Sequence, residues 1–181
     1  MATQPIFEDP NSGWITVREY LTTSYDPDVD YVDGRVEERN RGEYDHGYLQ
    51  TLLAFLFTKN RDAWSVRAVT EVRMQVSPTR FRVPDVLVLR VDAPREQILT
   101  HAPLIAIEIL SPEDRLNRMQ EKIDDYVAFG VENIWVLDPE TRRAWTADRM
   151  GTHPAQHDEL SVSGTPIRVV PSELFAELDR A

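Results

Sequence analysis

The sequence predicts a mixed α/β domain whose sheet is covered by helices on both faces. Three observations carry this. The middle of the chain reads helix, strand, strand, strand, helix, strand. One of those strands, "PLIAIEILS", is apolar on both sides of Glu108, as strands buried on both faces are. After Ser111 the apolar period changes from two to 3.6, so a helix follows the third strand directly.

Residues 1–13 read as a flexible N-terminal arm, and residues 14–181 as a single domain long enough to bury a core. A short helix is expected from Thr16, where "TVREYL" sets Glu19 three residues after a threonine N-cap, the capping-box pattern. "VDYVDGRVEER" predicts a hairpin, because Asp33-Gly34 suits a two-residue primed turn. Leu49, Leu52, Leu53, Leu56 and Phe57 recur at helical spacing and predict a largely buried helix over 45–59. "SVRAVTEVRMQVS" alternates as one strand, "FRVPDVLVLR" is a second and "PLIAIEILS" a third, with 91–103 as the connection between the last two. Leu116, Met119, Ile123, Tyr126 and Val127 form the stripe of a helix over 112–129. Its start carries Ser111 at N-cap, Pro112 at N1 and Glu113 and Asp114 in the first turn, and Gly130 stands at its end. "NIWVLDP" and "RRAWTAD" read as antiparallel neighbours. A strand near "TPIRVV" and a helix "SELFAEL", capped by Ser172, close the chain.

Composition narrows the function. The absence of cysteine excludes disulfides, zinc–thiolate sites and cysteine nucleophiles. The N-terminus has neither the basic start nor the apolar stretch of a signal peptide, and no apolar run approaches the roughly 20 residues that span a bilayer, so a cytoplasmic protein without membrane contact is expected. A net charge of −11 argues against broad, non-specific attraction to nucleic acid but leaves room for a local basic groove. The arginine clusters in "EERNRGE", "PTRFRVPD" and "EDRLNRMQEK" read first as solvated charge.

Two carboxylates interrupt this picture. Glu108 sits inside "LIAIEIL" and Asp85 inside "VPDVLVL". Alternation along a strand puts Asp85 on the face of Phe81, Val83, Leu87 and Leu89, and Glu108 on that of Leu104, Ala106 and Leu110. If the strands are neighbours, the two acids meet. Pro84 cannot donate a ladder hydrogen bond and marks a bulge or strand edge beside Asp85. Converging carboxylates repel unless a cation lies between them, and Mg²⁺ or Mn²⁺ suits oxygen ligands of this kind. At about 100° per residue, Lys122 borders the apolar stripe of its helix, from where its ammonium can reach the same place. His153 and His157 in "HPAQH" have helical metal-ligand spacing, but Pro154 and polar surroundings favour a loop there. No Gly-rich phosphate-binding motif is present.

These pieces, with "DYVDGRVEER", His46 opening the long helix, "APLIAIEILSPEDR", "EKIDDYVAFGVENIWVLDPE" and "PSELFAEL", resemble the bacterial "putative restriction endonuclease" family of the PD-(D/E)XK nuclease superfamily. The resemblance implies a restriction-endonuclease-like mixed β-sheet flanked by α-helices, and metal-dependent hydrolysis of phosphodiester bonds in DNA. It implies Asp85 and Glu108 as metal ligands with the Ile109 carbonyl as a third, and Mg²⁺ or Mn²⁺ as the cofactor. It assigns catalytic positions to Asp85, Glu108, Lys122 and His46, with His46 equally readable as a structural histidine. Nucleases of this class often work as homodimers. The chain departs from the superfamily motif at Leu110, where a lysine is expected two residues after the acid, and Lys122 stands as its migrated substitute. Two other readings stay open: a catalytically inactive, nuclease-fold binding or regulatory module, and a structural protein whose Glu108 pairs with a buried arginine such as Arg73 or Arg82.

Overall fold

The computed structural model describes residues 13–39, 43–112 and 116–180, with Leu116 as backbone only. The expected arm, apart from residue 13, and the expected first-turn acids Glu113 and Asp114 lie outside the described residues.

The chain opens with α1 (Val17–Thr22), held by the capping box of Thr16 and Glu19. The strands β1 (Asp30–Val32) and β2 (Arg35–Glu37) form the expected hairpin across Asp33-Gly34, both at positive φ. Helix α2 (Tyr44–Lys59) follows, then a single turn, α3 (Arg61–Trp64). The next segments are β3 (Val66–Thr70), β4 (Met74–Ser77), β5 (Arg80–Arg82), β6 (Val86–Arg90) and β7 (Ile105–Ile109). Helix α4 (Leu116–Phe129) leads to β8 (Ile134–Asp138), β9 (Arg143–Asp148) and β10 (Gly151–Pro154). The short pair β11 (Leu160–Ser161) and β12 (Arg168–Val169) precedes α5 (Pro171–Leu178).

The main sheet has the order β10-β9-β8-β7-β6-β3 and is antiparallel except for β7 beside β8, whose parallel pairing requires the α4 crossover between them. One face packs on α2 and α5: Leu49, Leu53 and Phe57 of α2 meet Val86, Val88, Ile105 and Ile107. Each such side chain contributes about 1.5–3 kcal/mol of burial. The other face packs on α4 through Met119, Ile123 and Tyr126, which meet Leu87, Ala106, Ile134 and Val136. Gly130, at φ 98°, ends α4 as expected.

A second sheet, β2-β1-β5-β4, stands beside the first, and this corrects two expectations. "SVRAVTEVRMQVS" is two strands: Glu71 takes a left-handed φ of 54°, and the chain leaves β3 in the main sheet for β4 in the small one. "FRVPDVLVLR" is likewise divided at Val83-Pro84-Asp85, between β5 in the small sheet and β6 in the main one. Pro84, which has no N–H for a ladder, sits at the crossing; the irregular register lies instead in β4, between Gln75 and Ser77. Leu104 precedes β7 and packs on the α2 face, so it does not share the side of Glu108.

One helix start also differs, while the expected start of α4 runs into residues 113–115, outside the described residues. In α5 the proline at position 171 occupies the first turn, so Ser172 is inside the helix and its hydroxyl donates to Asp158 instead of capping.

Candidate active site

Register brings the two acids together. Val86 pairs with Ile107 and Leu87 with Ala106, so the same antiparallel ladder, carried one residue further, sets Asp85 opposite Glu108. Both are buried, at 3% and 2% exposure. Asp85 is fixed where the chain enters β6: its Oδ2 accepts the Ile109 N–H at 2.7 Å, and its own carbonyl accepts the Gln50 side-chain amide at 2.9 Å. Glu108 lies on the α4 face of β7, and the helix supplies both its partners. Lys122 Nζ donates to Oε2 at 2.8 Å, and the Tyr126 hydroxyl donates to Oε1. Tyr126 therefore packs in the core and also holds the acid.

His46, in the first turn of α2, brings Nε2 to 3.4 Å from Asp85 Oδ2. Asp85, Glu108, Lys122, His46 and Ile109, all expected from the sequence, thus line one cavity of about 30 Å³, room for a water or an ion. His153 is elsewhere, on β10 at Asp148, and His157 follows in a short 3-10 turn. Among the described residues no third His, Asp or Glu joins any two as a metal cluster.

Two further residues of the cavity escaped the sequence reading. Asp30 opens β1 at 1% exposure; its Oδ1 accepts the Val83 N–H at 2.8 Å, and its Oδ2 lies 3.8 Å from Lys122 Nζ. Its only signal was an acid at the head of a short apolar strand. Arg39, counted among solvated arginines, places Nη2 2.5 Å from Asp85 Oδ1 with its side chain 10% exposed. Nothing in the sequence distinguished it from its neighbours. Arg82 is also no solvated charge: at 1% exposure it joins Asp30, Glu37 and Asp125, tying the small sheet to α4. Arg73 pairs with Asp28. The partner of Glu108 is consequently Lys122, not either arginine considered from the sequence.

The electrostatics split the carboxylates. Burial pushes the Glu108 carboxyl up, and Asp85 adds to this against the opposing charge of Lys122, so its pKa is raised. Burial acts in the same direction on Asp85, but the hydrogen bond from His46 and the charges of Arg39, His46 and Lys122 outweigh it, so its pKa is lowered. For His46, burial disfavours the imidazolium while Asp85 favours it more strongly, giving a raised pKa. Lys122 loses to burial and gains more from Glu108, Asp30 and Asp85, so it is held as the ammonium. Paired carboxylates whose environments drive them apart, facing a fixed cation in a small polar cavity, can hold a hard cation or move a proton.

Comparison with known proteins bears on the family and the fold. Residues 17–178 match the model of the Uma2 family, described as "Putative restriction endonuclease". The chain belongs to the Uma2 family. Its fold is shared with a crystal structure described as a putative nuclease belonging to DUF820 from Anabaena variabilis ATCC 29413. The two superpose with a TM-score of 0.78 at 22% identity, over 91% of this chain and 99% of that one. A DrdV–DNA complex solved by electron cryomicroscopy overlaps more loosely, with a TM-score of 0.42 at 16% identity, over 72% of this chain and 11% of that one. Among curated proteins none matches the chain. Family description and shared fold together support a nuclease.

Proposed function

We propose that this Uma2 protein is a metal-dependent endonuclease that hydrolyses phosphodiester bonds in DNA, with Asp85, Glu108 and Lys122 as its centre. The observation that carries the reading is the meeting of two buried carboxylates from adjacent strands with one ammonium from the covering helix. A solvated lysine has no need of that position.

The donor set fits Mg²⁺ or Mn²⁺. Such ions take one or two carboxylates and leave the remaining positions to water and substrate phosphate. Two buried carboxylates, a backbone carbonyl at Ile109 and a cavity of about 30 Å³ meet that need, whereas a zinc-type site would require three or more side-chain ligands. The bound ion would lower the pKa of its water and offset charge on the phosphate. Asp85 and Glu108 would hold it. Lys122 donates from the cavity wall, orienting a water or stabilising charge as it develops on phosphorus-bound oxygens. His46 sits 3.4 Å from Asp85 Oδ2 on the cavity lining, from where it would meet substrate. Arg118, 44% exposed at the rim, adds local positive charge to a chain that is acidic overall.

The test is nicking of supercoiled plasmid by the purified chain with Mg²⁺, Mn²⁺ or EDTA, beside Asp85→Asn and Glu108→Gln. Metal-dependent cleavage lost in both folded variants is the expected result. Cleavage that survives in either variant removes that carboxylate from the mechanism. No cleavage, together with no change in melting temperature on adding Mn²⁺, would favour the inactive binding module.

A further inference from the structure

Among the described residues, Arg39 is the one cation of the cavity that neither a strand nor a helix holds. It follows β2 in an irregular stretch, yet its guanidinium reaches inward until Nη2 is 2.5 Å from Asp85 Oδ1. The other oxygen, Oδ2, is already taken by the Ile109 N–H at 2.7 Å and approached by His46 at 3.4 Å. Oδ1 is therefore the oxygen Asp85 has to offer an ion, and Arg39 stands on it.

We propose that Arg39 is a resident cation that holds the place of the divalent ion at Asp85, so that metal enters by displacing the guanidinium. The inference rests on the metal-site reading above. A guanidinium and a dication cannot share one carboxylate oxygen without strong repulsion, because both lie within a few ångströms in a poorly screened interior. Arg39 also has somewhere to go. Its Nη1 is 3.5 Å from Glu71, whose side chain is 53% exposed, so the released guanidinium keeps a partner nearer to solvent. Leaving Asp85 breaks no ladder hydrogen bond, since Arg39 belongs to no strand. Without metal, Arg39 and Lys122 each neutralise one of the facing acids, and the buried pair is tolerated. Coupling is reciprocal: whatever Arg39 gains from Asp85 is lost from the affinity for metal.

The experiment measures Mn²⁺ affinity of the metal-free full chain by calorimetry, with melting temperatures in EDTA and in Mn²⁺. Wild type is compared with Arg39→Gln, Arg39→Lys and Asp85→Asn. Arg39→Gln is expected to bind Mn²⁺ about tenfold more tightly or better. It should also melt lower than wild type in EDTA and gain more from Mn²⁺. Arg39→Lys, which keeps the charge, should stay near wild type in both, and it carries the comparison if Arg39→Gln fails to fold without metal. Equal or weaker binding by Arg39→Gln, while Asp85→Asn still weakens binding, overturns the place-holding role and leaves the metal site standing. If Asp85→Asn has no effect on Mn²⁺ affinity, the ion does not use Asp85, and both readings fall.

Discussion

Lys122→Met is expected to destabilise the metal-free protein by about 3–5 kcal/mol at neutral pH, the usual result of removing one partner from a buried ion pair. The geometry sets the scale. Nζ is 2.8 Å from Glu108 Oε2 and 3.8 Å from Asp30 Oδ2, and both acids are at most 3% exposed. At an effective dielectric of about 20 these contacts correspond to roughly 6 and roughly 4 kcal/mol of attraction. Desolvation of the ammonium, whose side chain is 16% exposed, offsets much of that sum. Methionine keeps the apolar stem, so the loss reports the charge and not a cavity. In a chain of this size the change corresponds to roughly 6–20 °C in melting temperature. Urea and thermal unfolding in EDTA measure it, with Glu108→Gln added to complete a double-mutant cycle. The double variant should recover most of the loss, because the Tyr126 hydroxyl can still bond a neutral amide at position 108. A loss below about 1 kcal/mol, the value for a solvated pair, would refute the buried-pair argument and return Lys122 to the helix surface.

Two other outcomes follow from the fold and the site. Gly34→Ala should cost about 1–2 kcal/mol in urea unfolding, since φ is 95° there and an added Cβ would lie 2.3 Å from the Trp14 ring, which must swing out; an unchanged midpoint would refute it. For His46 the folded pKa is raised, so its contribution is fully present below the unfolded value of about 6.5 and is lost as pH rises through the folded value. Melting temperature in EDTA should therefore fall more steeply with pH above about 6.5 in wild type than in His46→Gln, and parallel curves would contradict the Asp85–His46 contact.

What was legible in the sequence was what depends on short range. The capping box at Thr16, the Asp33-Gly34 turn, the stripe of α2 and the glycine ending α4 each require only neighbours within a few residues, and all are present. So were Asp85 and Glu108, because an acid in an apolar strand is conspicuous whatever the topology. The division of two predicted strands between two sheets was not legible. Alternation continues through Glu71 and through Val83-Pro84-Asp85 as though nothing turned there, and only the left-handed φ at Glu71 and the second sheet reveal the change. Arg39 was missed, and buried Arg82 was given the wrong partner, for a related reason. Their partners lie 46 and 52 residues away in sequence, so no local pattern separates them from solvated arginines.

That missed crossing is also what builds the site. Were "FRVPDVLVLR" a single strand, Asp85 would be in mid-ladder with its backbone committed to both neighbours. Because the chain changes sheets at Pro84, Asp85 enters β6 from outside, and its side chain can accept the Ile109 N–H at the end of β7. The same crossing brings β1 of the small sheet alongside, which delivers Asp30 to the far side of Lys122. On the function proposed above, Lys122 takes the place of a lysine at position 110. A lysine there would leave β7 on the α4 face, where Leu110 now packs beneath the helix. Lys122 descends onto that face from α4 and reaches the same carboxylate at 2.8 Å. The charge is thus supplied by the layer that covers the strand in place of the strand itself. This also makes α4 docking a condition of the site, since Ile123 and Tyr126 seat the helix and Tyr126 also holds Glu108. Loosening that helix should therefore weaken ion binding and fold stability together, whereas Lys122→Met separates them.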